Sequence, residues 1–213
     1  MSTDLLDIQE QLRKELELQR ATLPTATTSK IKTAEKKFTL PGGKPTEGPI
    51  EAIILDWRYS NAYYSKLFNR NSPAPADCSA IGKIEDEMTP LKSSPNMQSD
   101  ACTGCPKNEW GSDPQGGRGK ACKNGVRLAV VPAKPDKDMT PWIIDVTPTG
   151  MKSFKNYINV VANAGLLPFQ VTTMIDFDPS VSYPSLTFKV NKPHEHLETA
   201  FALRPLASSV LSG

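Results

Sequence analysis

Four cysteines carry the densest chemical information in this chain of 213 residues: Cys78, the pair in Cys102-Thr-Gly-Cys105, and Cys122 within a run rich in glycine, arginine and lysine. A two-residue gap lets both thiolates of one tight turn reach a single ion, and Cys78 and Cys122 would complete a tetrahedral all-cysteine zinc site. Such a site is structural, because four protein ligands leave no position for a reactive water. Unlinked thiols and two disulfides are the other states open to four cysteines. The first residues, Met-Ser-Thr-Asp-Leu-Leu-Asp, lack the basic and then apolar pattern of a secretory signal, so a reducing, cytoplasmic setting is expected and disulfides are disfavoured. The two histidines, His194 and His196, stand far from the cysteines, which leaves the thiols without a base and argues against nucleophilic catalysis. They read as a surface pair rather than as ligands.

Around the cysteines, cations alternate with flat side chains. From Trp57 to Arg70 the chain interleaves Trp57, Tyr59, Tyr63, Tyr64 and Phe68 with Arg58, Lys66 and Arg70 and has no acid. From Lys107 to Arg127 it sets Lys107, Arg118, Lys120, Lys123, Arg127 and the indole of Trp110 against only Glu109 and Asp113, with glycines that let a backbone approach closely. An unpaired polynucleotide is held by these two kinds of group together, cations on phosphates and aromatic faces under bases. The candidate contacts are therefore Arg58, Tyr59, Tyr64, Lys66, Phe68, Arg70, Lys107, Trp110, Arg118, Lys120, Lys123 and Arg127. Two other roles stay open. Alternation along a strand buries every second residue, so Trp57 and Tyr63 fit a core equally well. A zinc held by four thiolates carries a net charge of about −2, which some of the cations would neutralise.

No phosphate-binding Gly-x-x-x-x-Gly-Lys, dinucleotide glycine fingerprint, His-Glu-x-x-His or zinc-deaminase pairing occurs, and the triplet Glu85-Asp86-Glu87 points its carboxylates in different directions. The expectation is a protein that is not an enzyme. The net charge of +2 is too small to announce a nucleic-acid binder, so any electrostatic footprint is local. No apolar run approaches the roughly 18 residues of a membrane span, and no membrane partner is expected.

The elements that would position these groups are legible from periodicity. Leu5, Ile8, Leu12 and Leu16 give residues 1–21 an amphipathic helix, and residues 22–40 read as a linker with a basic end. Residues 41–213 then carry strand signals at Pro49–Tyr59, Arg127–Val131, Trp142–Val146, Gln170–Phe177 and Leu186–Val190, with one helix, Met151–Ala164, between the third and fourth. Nineteen prolines exclude a helical bundle. The order β-β-β-α-β-β predicts a mainly β domain with one central helix, an OB-fold-like five-stranded barrel. Residues from about 60 to 126 would then be an insertion between strands 1 and 2. A bare loop of that length is uncommon, and a zinc ion would supply its order.

The segment Ser99-Asp-Ala-Cys102-Thr-Gly-Cys105-Pro-Lys-Asn-Glu-Trp110 through Arg118-Gly-Lys120-Ala-Cys122-Lys-Asn-Gly-Val-Arg127 resembles the cysteine-containing signature of phage-encoded single-stranded-DNA-binding proteins. That resemblance implies an OB-fold with a zinc-binding insertion, Zn2+ as a structural ion on Cys102, Cys105 and Cys122 with Cys78 assigned by count, and a role in phage DNA replication or recombination inside the infected host cell. The expected partners are single-stranded DNA and, through the N-terminal helix, other replication proteins or a second copy. The chain ends Ser-Ser-Val-Leu-Ser-Gly without the acidic tail by which many single-strand binders recruit partners. The alternative is a zinc-containing protein-interaction module that binds a replication or host protein.

Overall fold

A computed structural model describes Lys14, residues 29–66 and residues 74–212. The helix expected over the first 21 residues lies, apart from Lys14, outside the described residues. Within the stretch read as a linker, β1 (Lys32–Ala34) and β2 (Lys37–Thr39) form a hairpin that continues into β3 (Pro45–Thr46). Glu35 and Lys36 join the first two strands with φ of 54° and 55°, the positive pair that a two-residue type I′ turn requires. This small sheet is anchored rather than free: Ile31 and Phe38 are fully buried, and the Phe38 ring stacks on Phe177 with centroids 4.4 Å apart.

The main sheet is built on β4 (Ile50–Tyr63), with β5 (Cys78–Gly82), β6 (Lys123–Pro132), β7 (Trp142–Val146), β8 (Val171–Phe177) and β9 (Leu186–Pro193). Its order is β7-β6-β4-β8-β9, all antiparallel, with β5 paired to the far end of β4. Helix α1 (Met151–Asn163) packs Phe154, Tyr157 and Val161 on one face, and helix α2 (Leu197–Ser212) packs Ala200, Leu203, Ala207 and Leu211 on the other.

Both faces of the first half of β4 are therefore covered. Ala52 and Ile54 face α1, while Ile53 and Leu55 face α2. A β-bulge between Ile54 and Asp56 then shifts the alternation by one residue. As a result Trp57 and Tyr59 pack on the α1 side, and Arg58 lies on the α2 side, where it bonds Ser208. Without the bulge the period of two would invert that assignment.

The five predicted strands and the central helix are present in the predicted order. Numbered as predicted, their spatial order is third, second, first, fourth, fifth. Three features depart from the expectation. The sheet does not close into a barrel: its edges β7 and β9 are not paired with each other, and the segment Ser29–Ile31 covers the outer edge of β7 through bonds to Ile143 at 2.8 Å. The insertion contributes a strand of its own, β5. The chain also ends in α2, a second helix. Its apolar side chains recur at helical spacing, but Pro205 sits in the middle of it and masks the period. Among the described residues no helix is long and apolar enough to cross a membrane.

Candidate nucleic-acid interface and cysteine cavity

The bulge in β4 decides what its outer half can do. Trp57, Tyr59, Asn61 and Tyr63 recur with period two, and the first two border the α1 helix while Asn61 and Tyr63 line a small cavity beyond it. Two thiols flank the end of this strand: Cys78 of β5 is paired with Tyr63, and Cys122 immediately precedes Lys123, the partner of Ala62 on β6. The other two come from the turn Cys102–Cys105. Its Gly104 has φ of 74° and the Cys105 N–H donates to the Cys102 carbonyl at 3.4 Å. A positive φ at only the third position is the signature of a type II turn, which needs glycine there.

All four cysteines line the same cavity, of about 20 Å3, which is the space of one water-sized sphere. They are free thiols, with no disulfide between any two. Among the described residues no three Cys, His, Asp or Glu side chains stand near enough to one another to share an ion as they lie. The thiols do feel one another. Burial, then the neighbouring Cys102, Cys105 and Cys78, pushes the Cys122 thiol up to about 12 against a weaker opposing pull from Lys120. Burial also raises Cys102, with an Asn61 side-chain hydrogen bond pulling the other way and Cys78 and Cys105 adding to the rise. A divalent cation among the sulfurs would reverse that balance and favour thiolates.

Amides tie the cavity wall together. The Asn124 amide donates to Asn61 at 2.7 Å and to Asn108 at 2.9 Å, and the Asn108 amide donates to the Cys102 carbonyl at 3.0 Å. The Cys122 N–H donates to the Lys107 carbonyl at 2.7 Å. In the insertion these polar contacts supplement a small apolar cluster of Ala80, Met88 and Cys102 with Tyr59 against it, and among the described residues no buried side-chain polar atom lacks a partner.

The candidate nucleic-acid contacts separate into groups. Arg58 is only 5% exposed: it pairs with Asp56 at 2.7 Å and donates to the Trp57 carbonyl and to Ser208 of α2. Arg127, its cross-strand partner, is half-buried and bonds Asp145 at 3.0 Å. Both are held by the sheet. The reason is the strand period, which sends cations to one side and aromatics to the other where the sequence shows them interleaved. Tyr59 is half-buried, its ring edge-on to Trp57 at 5.1 Å. Tyr64 and Lys66 are exposed at the end of β4. Phe68 and Arg70 lie outside the described residues. Lys107 sits with its ammonium 5.4 Å from the centre of the Tyr63 ring, at the cysteine cavity.

Trp110, Arg118, Lys120 and Lys123 remain on the surface of the insertion. Trp110 is 77% exposed, with the Lys120 ammonium 5.2 Å from its ring centre. Lys123 donates to Asp113 at 2.8 Å, and that contact together with the Gln115 N–H holds the Asp113 carboxyl below its ordinary range. Arg118 is exposed. Trp110, Lys120 and Lys123 border an open cleft of about 320 Å3 whose opposite wall is Met151 and Lys155 of α1. Lys155 was not among the sequence candidates, because it lies outside the insertion and only the packing of α1 brings it there.

Comparison of the chain with family models, with curated proteins and with solved structures gives no match. His194 stands apart from all of these sites. Its ring bonds the Phe169 carbonyl at 2.7 Å and accepts the His196 N–H at 3.1 Å, a contact that fixes the approach to α2.

Proposed function

We propose that the protein binds single-stranded DNA with little sequence preference and performs no chemistry on it. The observation that carries this reading is Trp110, a large aromatic face left open to solvent beside Lys120 and facing a cleft with cations on both walls. An indole so placed can stack on any base while ammonium groups meet the phosphates on either side. The resemblance of the segment around Cys102 to phage single-strand binders supports a place in phage DNA replication or recombination. The spatial order of the strands supports an OB-like reading in which β4, β6, β7, β8 and β9 are the strands of an opened barrel and β5 belongs to the insertion.

Structural Zn2+ belongs to the same proposal. The donor set fits it in type and number, and Cys78, Cys102, Cys105 and Cys122 line one small cavity. No three of them stand near enough to share an ion as they lie, so loading requires the side chains to close on it. Zinc would hold the thiols as thiolates and fasten the turn to the end of β4. Asn61 would orient Cys102 through its hydrogen bond to the sulfur.

A second reading, a protein-interaction module, is favoured by Leu197 and Phe201, which leave apolar surface exposed on α2. Titration of labelled oligo-dT and of a duplex of equal length, each at two salt concentrations, separates the two. A salt-sensitive preference for the single strand is expected, and failure of zinc-loaded protein to bind either probe refutes the first reading. Elemental analysis and limited proteolysis test the ion independently. Replacement of Cys102 and Cys105 by serine should release zinc and open the insertion to protease, and a variant as resistant as the wild type removes zinc from the account.

A further inference from the structure

We infer that the single strand does not stop at the insertion but runs on into a second cleft, between β4 and α1, which accepts a nucleobase. This deepens the proposed function and rests on it. The second cleft has a volume of about 300 Å3 and is lined by Trp57 and Tyr59 of β4 and by Met151, Phe154, Ile158 and Asn159 of α1. Met151 and Lys155 border both clefts, so the two are consecutive parts of one path that begins at Trp110 and ends at Trp57.

The chemistry of this end differs from that of the beginning. Its walls are aromatic and aliphatic: Trp57 stands edge-on to both Tyr59 and Phe154, with ring centroids 5.1 and 5.4 Å apart. A slot of that kind suits a flat, weakly hydrated ring. At its rim Asn159 is exposed and carries both a donor and an acceptor for the edge of a base. Lys155 stands at the junction of the clefts, its side chain 53% exposed and paired only loosely with Glu85, at 3.3 Å. A phosphate that follows a base in the slot would meet that ammonium, with Lys120 and Lys123 next along the path. The charge is complementary to a polyanion and the slot to its bases. Among the described residues that line the two clefts Glu85 is the one acid, and it opposes the strand.

The test uses full-length protein and oligo-dT carrying 5-iodouracil. Photocrosslinks are expected on Trp57 or Tyr59 as well as on Trp110. Lys155→Glu should weaken binding about tenfold, and Lys155→Ala should lower the slope of log affinity against log salt by about 0.7, the value of one phosphate contact on a single strand. Glu85→Lys should tighten binding. These side chains are exposed and outside the core, so melting temperatures should stay those of the wild type. If Trp110→Ala weakens binding while crosslinks are confined to the insertion and the Lys155 and Glu85 variants bind as the wild type does, the strand leaves by another route and the inference falls with the proposed function intact. If the wild-type protein binds no single strand, both fall together.

Discussion

The two halves of β4 do opposite things with the same backbone. From Ala52 to Leu55 the strand is sealed by apolar side chains on both faces, under α1 and under α2. From Trp57 to Tyr63 only Arg58 and Asn61 are buried, and one side of the strand passes first along a cleft and then along four thiols. The division falls at the bulge between Ile54 and Asp56. One half is held by burial, which is non-directional and grows with apolar area. The other has only a small apolar cluster, Ala80, Met88 and Cys102 against Tyr59, and depends more on amide contacts and turn geometry, where each lost partner leaves a polar group uncompensated. The difference separates stability from the proposed binding, and substitutions around the bulge can show how completely.

The largest effect on stability is expected in the core that α1 forms with the sheet. Phe154 is fully buried under β4 and touches the rings of Trp57, Tyr157 and Phe188. Its replacement by alanine removes transfer energy and leaves a cavity, at a cost of about 3–5 kcal/mol. In urea unfolding followed by fluorescence the midpoint should drop sharply. A loss below about 1 kcal/mol would mean that α1 is not part of the cooperative unit.

A smaller effect is expected from the ion cluster on β6 and β7. Asp145 lies between Arg127 and Lys30. Burial alone would raise its carboxyl, but the charges of Arg127 and then Lys30, with their hydrogen bonds, outweigh it and hold the carboxyl below its ordinary value. Lys30 is half exposed, so solvent screens its share. Asp145→Asn should cost about 1–2 kcal/mol at neutral pH, between the values for exposed and buried pairs. A carboxyl depressed in the fold contributes stability above its unfolded pKa of about 4 and loses it as pH falls through the folded value. The gap between wild type and variant should therefore close on acidification below about pH 4. A gap independent of pH would assign the loss to packing instead of charge.

The same division explains what could be read from the sequence. The five strands and α1 announce themselves because their apolar residues recur with the periods that burial imposes, and Met151–Asn163 ends within a residue of its expected stop. The bulge cannot be seen that way, since one extra residue looks like ordinary strand. Its consequence is which face turns to α1: the strand period alone sets Trp57 and Tyr59 opposite Arg58, but only the bulge puts the aromatics on the α1 side and Arg58 against α2, so from the sequence Arg58 and Arg127 read as surface cations. Helix α2 was hidden by Pro205, and the small sheet by the polar residues around Ile31 and Phe38. In the insertion only the cysteines were legible. Their spacing brought Cys102 and Cys105 together, while the approach of Cys78 and Cys122 depends on their positions beside the end of β4. Lys155 and Glu85 belong to the cleft through tertiary packing alone.

The smallest effect on stability, and the one that separates the two regions most cleanly, should come from Trp110→Ala. The indole is open to solvent, and its contact with Lys120 is a surface cation–π pair, so unfolding should change by no more than about 0.5 kcal/mol. Binding is a different matter, because a stacked base contributes about 1–3 kcal/mol. The variant should therefore bind oligo-dT about 5- to 150-fold more weakly while melting as the wild type does. Trp110→Phe keeps a flat ring and should recover most of that affinity, which a role in folding would not predict. Equal affinities for wild type, alanine and phenylalanine variants would leave Trp110 without a part in binding and remove the observation on which the proposed function stands.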